Sequence, residues 1–224
     1  MRTGRATAPH LTAKGAATRR RIVEGAAAEI REKGVTATLD DVRARTSTSK
    51  SQIFHYFPGG KDELLLAVAA HEADRVLEDQ QPYLSELGEL STWQAWRNWR
   101  DAVVRRYEQQ GVNCPLGLLI TELGRTTPAS QALTGQLLTR WQRALRTGVR
   151  RMQDAGRIDV RLDADRTAAA LVAAVQGGVV ILMSTGGIAH LEAALDTTLM
   201  LLRSGAPAAE PSGGSGESPG CPAT

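Results

Sequence analysis

Two short helical segments around a polar turn place the tightest constraint on how this chain can fold. The first, predicted over residues 38–45, begins where Thr38 and Asp41 have the spacing of a capping box. Thr46-Ser47-Thr48 is predicted as the turn, and the second segment covers residues 49–56. Helices this short are not stable alone, so they must pack against longer neighbours. The pattern therefore predicts a compact helical domain.

A longer predicted helix lies on each side of this pair. The first covers residues 18–33, carries apolar residues at helical spacing, and ends before Gly34. The second covers residues 61–80 and follows the helix-breaking Pro58-Gly59-Gly60. A long helix followed by two short helices around a tight turn is the arrangement of a helix-turn-helix DNA reader.

The rest of the chain shows helical patterns and no convincing strand. The only tempting strand, residues 178–183, lies inside a longer Ala-rich segment and is therefore assigned to a helix. Both ends lack an apolar period, and 12 of the last 20 residues are Gly, Pro or Ser, so neither end is expected to fold. We predict an all-α chain of about nine helices, with the last five near residues 92–110, 116–125, 129–154, 163–184 and 188–203.

Charge is unevenly distributed along the chain. Residues 1–61 contain 12 Lys and Arg against 5 Asp and Glu, whereas the remaining residues contain 15 against 19. A basic N-terminal region on a mildly acidic body is typical of a protein whose first domain meets a polyanion.

The second short helix has the chemistry of a recognition helix. Small and hydrogen-bonding side chains open it, as an N-terminal turn requires when it approaches base edges. Basic residues stand at the starts of the first and fourth helices, where phosphates could be reached, and a phosphate would offset the cost of a cation at a helix N terminus. The candidate contacts are Arg19, Arg20, Arg21, Ser49, Lys50, Ser51, Gln52, His55, Tyr56 and Lys61.

Each of these features also has a purely structural explanation. Taken alone, the three consecutive arginines are more often a solvated charged face than a phosphate site. The apolar Ile53, Phe54 and Phe57 are expected to form the small core under the helices rather than to stack on bases. The combination of a basic region and a complete helix-turn-helix pattern nevertheless favours DNA binding.

The stretch from Thr18 to Leu65 resembles the tetracycline-repressor (TetR) family of bacterial transcriptional regulators. The resemblance rests on TLDDV at residues 38–42, SKSQIFHYF at 49–57 and KDEL at 61–64, with Ile22, Ala26 to Ala28 and Gly34 before them. It covers about a fifth of the chain, and the motifs are specific as a set.

Two positions depart from the usual pattern of that family. Ser47-Thr48 occupies the turn where a glycine and an apolar residue are usual, and one additional residue separates Phe57 from Lys61. The Pro-Gly-Gly-Lys form, together with Cys114-Pro115-Leu116-Gly117, resembles the LmrA/YxaF-like subgroup, whose members respond to planar aromatic compounds.

The resemblance implies a fold and a function. It implies a homodimeric repressor on a short pseudo-palindromic DNA operator, released by a small-molecule effector, and it adds Thr38 to the DNA contacts. The implied divisions are a flexible basic arm at 1–15, a helix-turn-helix DNA-binding domain at 16–62, a helical effector-binding and dimerisation domain at 63–204, and a disordered tail at 205–224.

Aromatic residues are scarce, yet four of the nine lie between Trp93 and Tyr107 at helical spacing. One interpretation is ordinary core packing; the other is one wall of a pocket for a flat apolar effector. The candidate effector-binding residues are Trp93, Trp96, Trp99, Val103, Tyr107, Leu119, Glu122, Leu123, Trp141, Gln176 and Met183.

The last two predicted helices are apolar around most of their circumference, so they need burial on more than one side. In the resembling family these helices pack against their copies in a dimer; the alternative is that they only complete a monomeric core. The candidate dimer-interface residues are Ala169, Ala173, Gly177, Val180, Leu195, Leu199 and Leu202.

Other functional classes receive little support. Cys114 could act as a nucleophile, but no histidine stands in a motif relation to it, and no metal-ligand cluster, cofactor motif or catalytic signature is present. The longest apolar run, residues 168–183, is shorter than the roughly 20 residues of a membrane span. We therefore expect a cytoplasmic protein without metal, cofactor or membrane contact. A DNA-binding regulator without a small-molecule effector, orphan or partnered by a protein, stays open.

Overall fold

A computed structural model describes residues 11–84, 90–118, 120–121 and 127–204, and within these ranges the chain is all-α, as predicted. Two single 3-10 turns cover Gly34–Thr36 and Gly111–Asn113. The α-helices of the described residues are α1 (Ala13–Lys33), α2 (Leu39–Thr46), α3 (Lys50–Tyr56), α4 (Gly60–Glu78), α5 (Trp93–Gln110), α6 (Pro115–Leu118), α7 (Pro128–Asp154), α8 (Ala164–Thr185) and α9 (Ala189–Ser204).

Local caps explain where the helices begin and end. α1 starts five residues earlier than predicted because the Thr12 hydroxyl accepts a hydrogen bond from the Gly15 amide (3.1 Å) and caps the helix there. α6 ends at Leu118, and most of the remainder of the predicted helix at 116–125 lies outside the described residues. The other predicted boundaries agree with the structure to within two residues.

The apolar residues form two separate cores. The first joins α1 to α3 with the first half of α4, and includes Ile22, Ile53, Phe57 and Leu64. The second joins the rest of α4 with α5 to α9. We call these two parts the head and the body. Among the helices of the described residues, α4 alone contributes buried residues to both cores, so it connects the head and the body as a continuous helix.

Helix α8 is central to the body, since it packs against both α7 and α9. A Cβ on Gly178 would lie only 2.6 Å from the Leu191 Cα, so α8 and α9 approach closely at a position where a side chain would not fit. By length and composition α8 could cross a membrane, and only 39% of its most apolar window is buried within the chain. The other residues of that window are partly or fully exposed.

Candidate nucleic-acid interface

Paired caps fix the N termini of both short helices in the head. At α2, the Thr38 hydroxyl accepts from the Asp41 amide (3.2 Å) and the Asp41 carboxylate accepts from the Thr38 amide (2.8 Å). The predicted capping box is therefore confirmed. Ser49 and Gln52 form a second box at α3, with bonds of 3.1 and 2.9 Å. The Ser-x-x-Gln spacing could have identified it from sequence.

Ion pairs between α1 and α2 fix the position of α2 against α1. Glu29, which is buried, accepts from Arg45 Nε (2.5 Å) and pairs with Lys33 Nζ (3.0 Å), and Lys33 also pairs with Asp41 (2.6 Å). Hydrogen bonds from Arg45 and then Lys33 lower the pKa of Glu29, and those from Lys33 and Thr38 lower the pKa of Asp41. Both carboxylates thus remain ionised at neutral pH, and α2 stays attached to α1.

The outer face of α3 carries most of the predicted DNA-contacting residues. Lys50, Ser51, Gln52 and His55 are exposed, and Tyr56 is half-buried. The His55 and Tyr56 rings meet edge to face, with centroids 4.9 Å apart. The structure therefore brings these predicted residues together on one accessible surface.

One of the three apolar residues that were predicted to form the core under the helices lies outside that core. Ile53 and Phe57, four residues apart, are 1% and 0% exposed, whereas Phe54 is 41% exposed. The reason is helical geometry, because Phe54 is rotated about 100° from Ile53 around the helix axis. Its ring edge lies beside Gly60.

The helix cap uses one of the two polar atoms of the Gln52 side-chain amide. Its Oε1 accepts from the Ser49 amide, whereas Nε2 has no hydrogen-bond partner among the described residues. Nε2 is therefore the atom available to donate to a base-edge acceptor in the major groove.

The three arginines of α1 that are predicted to contact phosphates differ in how strongly neighbouring residues hold their side chains. The Arg19 guanidinium stacks over the Phe57 ring at 5.0 Å, which fixes its position at the edge of the head. Arg20 and Arg21 are exposed, and Arg20 makes only a long contact of 3.9 Å with Glu24. All three arginines lie on the N-terminal half of α1.

The longer loop before α4 is accommodated by Gly60, which adopts a left-handed φ of 69°. Lys61 follows directly, and its ammonium donates to the Ala37 carbonyl (2.9 Å), just before α2. The side chain is exposed, so it ties α4 to the start of α2 while remaining at the surface.

Ser47 occupies the left-handed position of the turn with a φ of 50°, the one positive φ at a non-glycine residue in the described part of the chain. Its side chain is exposed and forms no described hydrogen bond. The flanking Thr46 and Thr48 are buried, and their hydroxyls hydrogen-bond each other at 2.7 Å. The turn thus keeps its shape without the usual glycine, at the cost of backbone strain.

Ser47→Gly is expected to raise the free energy of unfolding by about 0.5–1 kcal/mol. Glycine removes the strain of roughly 1–2 kcal/mol, and part of that gain is offset by its larger backbone entropy in the unfolded chain. Urea denaturation of the two proteins measures the difference. An unchanged or lower stability would contradict the assignment of strain to this residue.

In the body, the predicted aromatic wall is packed core. Trp96, Trp99 and Trp141 are 0% exposed, Val103 and Tyr107 are fully buried, and Trp93 packs at the edge. Gln176 and Met183 are half-buried on α8, with the Met183 sulfur against Gly117. Leu119, Glu122 and Leu123 lie outside the described residues.

A buried amide organises these tryptophans. Gln80 is 0% exposed, and its Oε1 accepts from both Trp99 Nε1 (2.8 Å) and Trp141 Nε1 (3.1 Å), while its Nε2 donates to the Val76 carbonyl (2.7 Å). One side chain therefore satisfies two indole N–H groups in the core. Sequence reasoning missed Gln80, because a glutamine near a helix end gives no signal of burial.

A narrow apolar crevice with a cavity volume of only about 10 Å³, room for about one water molecule, lies between α4, α6 and α7. It does not include the tryptophans. It is lined by Leu66, Ala69, Ala73, Leu116, Ile120, Ser130, Leu133, Thr134 and Leu137.

The outward faces of α8 and α9 both carry exposed apolar residues. We call this surface the α8/α9 face. The predicted Ala169, Ala173, Gly177 and Val180 are all exposed on it. On α9, however, Leu195 and Leu202 are buried within the protomer and Leu199 packs against its core. Met200 and Leu201, 63% and 64% exposed, lie on the outside instead.

Cys114 is buried, and burial raises the pKa of its thiol, which keeps it protonated and a poor nucleophile. The Gly117 amide donates to its sulfur (3.5 Å). No group of His, Cys, Asp and Glu that could hold a metal ion occurs in the described ranges.

Family comparison accounts for both parts of the chain. Residues 22–68, which span the helix-turn-helix, match the model described as bacterial regulatory proteins, tetR family. Residues 92–198 match the model described as the tetracyclin repressor-like C-terminal domain. The chain belongs to the TetR family. TetR-family proteins are DNA-binding transcription factors rather than enzymes, so the chain is a TetR-family transcriptional regulator and Cys114 is not a catalytic nucleophile.

Individual relatives agree with this family. An uncharacterized HTH-type transcriptional regulator of Mycobacterium tuberculosis is 28% identical over 116 residues, 47% of this chain and 53% of the relative. The chain thus spans about half the length of the curated relatives it matches.

Solved TetR-family structures share the fold over most of the chain. A regulator from Chloroflexus aurantiacus is 25% identical with a TM-score of 0.68, covering 84% of this chain and 96% of that one. One from Cytophaga hutchinsonii gives 0.70 at 19% identity, covering 86% and 96%. A further solved structure with the same fold, that of RolR in complex with its ligand resorcinol, gives 0.57 at 18% identity, covering 84% and 89%.

Proposed function

We propose that this TetR-family regulator is a cytoplasmic homodimeric repressor that leaves a pseudo-palindromic operator when a small, planar apolar effector binds its body. The observation that carries the dimer is the α8/α9 face, which is apolar and has no partner within the protomer. A twofold dimer would bring together the same face on two copies. Two recognition helices would then enter the major groove about one helical turn or more apart.

The proposed DNA contacts are those on the accessible surface of the head. The exposure of α3 supports base contacts, and the arginines of α1 support phosphate contacts. The bond from Lys61 to the Ala37 carbonyl makes a phosphate role for its ammonium secondary to fixing α2. The proposed contacts are Arg19, Arg20, Thr38, Ser49, Lys50, Ser51, Gln52, His55, Tyr56 and Lys61.

Lys50→Ala and Tyr56→Phe are expected to weaken binding to all operator sequences, whereas Gln52→Ala is expected to relax the preference at one base pair by about 1–3 kcal/mol. The difference arises because phosphate contacts carry no sequence information and base-edge contacts do. Mobility shifts on a set of single-base operator variants measure both effects. Unchanged affinity for all three proteins would contradict this interface.

The first test is a mobility shift of the purified protein on its own upstream intergenic DNA, titrated with salt and competitor. A discrete complex that weakens steeply with salt and resists nonspecific competitor is expected for a site-specific regulator. Diffuse binding alone would mean that the operator lies elsewhere, or that the altered turn at Ser47-Thr48 has changed how the helix-turn-helix contacts DNA.

We propose the crevice between α4, α6 and α7, rather than the aromatic stripe, as the effector site. The tryptophans are committed to core packing, whereas the crevice is apolar and lined by the small Ala69 and Ala73. RolR, which shares the fold, binds the flat phenol resorcinol. A ligand wider than the narrow crevice would separate α4 from α6 and so favour a different arrangement of the body. These features are consistent with planar aromatic effectors such as those of the LmrA/YxaF-like subgroup.

Ala69→Phe is expected to remove the response to planar phenols while leaving operator affinity within about twofold, because the ring would fill the crevice. The measurement is release of labelled operator by resorcinol and larger planar phenols. Ala70→Phe, on the same helix but outside the crevice lining, is the matched control. Equal responses of the two variants would place the effector elsewhere.

A regulator without a small-molecule effector is the second candidate, favoured by how narrow the crevice is. It predicts that no planar compound releases the operator or changes the fluorescence of the buried tryptophans. A protein partner on the body would then control DNA binding.

A further inference from the structure

The head and the body meet around one buried carboxylate. Glu72 lies on α4 between the residues that enter the head core, such as Val68, and those that enter the body core, such as Ala73. Its side chain is 0% exposed. A carboxylate so deeply buried must have cationic or hydrogen-bonding partners, because it has lost its hydration.

Its partners come from both sides of the junction. Arg31 Nη1 of α1, in the head, lies 3.2 Å from Glu72 Oε1. Arg106 Nη2 of α5, in the body, lies 3.6 Å from Glu72 Oε2. Arg106 is itself only 4% exposed and also pairs with Asp79 at the end of α4. The two arginines therefore share one carboxylate across the boundary between the cores.

These ion pairs make the free energy of the protein depend on how the head is oriented relative to the body. If α1 rotates away from α4, Glu72 loses its head cation Arg31. If α5 moves away, Glu72 loses its body cation, and the buried Arg106 loses both of its carboxylate partners, Glu72 and Asp79. Separating a buried ion pair is far more costly than losing an exposed one. The trio thus favours one relative placement of the two parts.

The same side of the head has a second contact with the body. The 3-10 turn at Gly111–Asn113 lies against Gly34 at the end of α1, where the Asn113 Oδ1 would be 3.1 Å from an added Cβ. This turn leads into α6, which lines the crevice. Movement at the crevice therefore has a short path to the α1 end at which Arg31 lies.

We propose that Glu72 is a positioning residue that couples the body to the DNA-binding head through Arg31 and Arg106. It contacts no DNA; it acts by fixing α1, and with it α2 and α3, relative to α5. The coupling to an effector rests on the proposed function above, whereas the coupling between α1 and α5 does not.

The test exploits a matched pair of arginines. Arg31 and Arg45 both pair with a buried glutamate, with side chains 31% and 34% exposed, but the Arg45–Glu29 pair lies wholly within the head. Hydrogen exchange of the full chain is measured for wild type, Arg31→Met and Arg45→Met. Arg31→Met is expected to speed exchange in α5 peptides around Arg106 at least about threefold. Arg45→Met should affect head peptides only.

Operator binding supplies the second readout, on a DNA fragment selected from a random pool with the wild-type protein. If the head reaches its binding orientation only a tenth of the time, the apparent Kd rises about tenfold. We expect a rise of this order for Arg31→Met and for Arg106→Met, no further rise in the double variant, and recovery of most of the affinity in Arg31→Lys.

Exchange in α5 that is the same in Arg31→Met and wild type would overturn the proposal, as would additive effects of Arg31→Met and Arg106→Met on affinity. If no operator is recovered, the proposed function fails, yet the exchange experiment still decides the coupling between α1 and α5.

Discussion

Val180→Glu is expected to convert the protein to a monomer and to reduce its operator affinity at least about 100-fold. Val180 lies on the α8 part of the α8/α9 face and is 46% exposed in the protomer. A twofold axis near this helix would place two carboxylates close together in an apolar interface, where unpaired charges are strongly unfavourable. A monomer would also lose the avidity of two linked half-sites, which amounts to factors of about 10²–10⁴.

Sedimentation equilibrium measures the oligomeric state, and mobility shifts on full and half operators measure the affinity. The matched control is Val160→Glu, because Val160 is even more exposed, at 75%, and lies in the connection between α7 and α8. It should remain dimeric and bind normally. A dimeric Val180→Glu protein would show that another surface forms the dimer.

Gln80→Met is expected to lower the free energy of unfolding by about 3 kcal/mol or more, although the two side chains are similar in size. The thioether cannot replace the amide oxygen, so the indole N–H groups of Trp99 and Trp141 would both be buried without an acceptor. Each such group costs about 1–3 kcal/mol. Thermal and urea denaturation, followed by tryptophan fluorescence, measure the change.

The adjacent Gln81 provides the control. It makes the same type of bond to the carbonyl four residues earlier, from Nε2 to Leu77 (3.2 Å), but it is exposed. Gln81→Met should change stability by less than about 0.5 kcal/mol. Similar losses for both variants would mean that the shared amide oxygen of Gln80 is not what stabilises the tryptophans.

Local signals made the head predictable. The Thr38–Asp41 spacing marks a cap, Gly34 marks a helix end, and the departure at Ser47 identifies the one described position where a non-glycine residue carries the left-handed turn. These features depend on neighbours within a few residues, so the sequence contains them. The burial predicted for Phe54 was wrong because Ile53, Phe54 and Phe57 were all assigned to the buried face of α3. Only Ile53 and Phe57, which are four residues apart, share that face.

The body was harder because its decisive contacts are distant in sequence. Helical spacing correctly predicted that Trp96, Trp99 and Tyr107 share a face, but a ligand and a core require the same apolar pattern. Only the acceptor Gln80, 61 residues from Trp141, shows that these rings are committed to packing. Likewise Leu195 and Met200 look equally apolar, and which one faces α8 depends on the rotation of the whole helix.

The sharing of α4 between two cores has a consequence for building hybrid regulators. A junction after residue 62 would transplant α1 to α3 without Leu64 and Val68, which complete their core, and would graft them onto a foreign helix. A junction after Val68 keeps that core intact, but the donor's α1 must then offer a cation to Glu72 of the recipient. Exchange of DNA specificity between relatives should therefore succeed best when the donor carries an arginine at the position of Arg31.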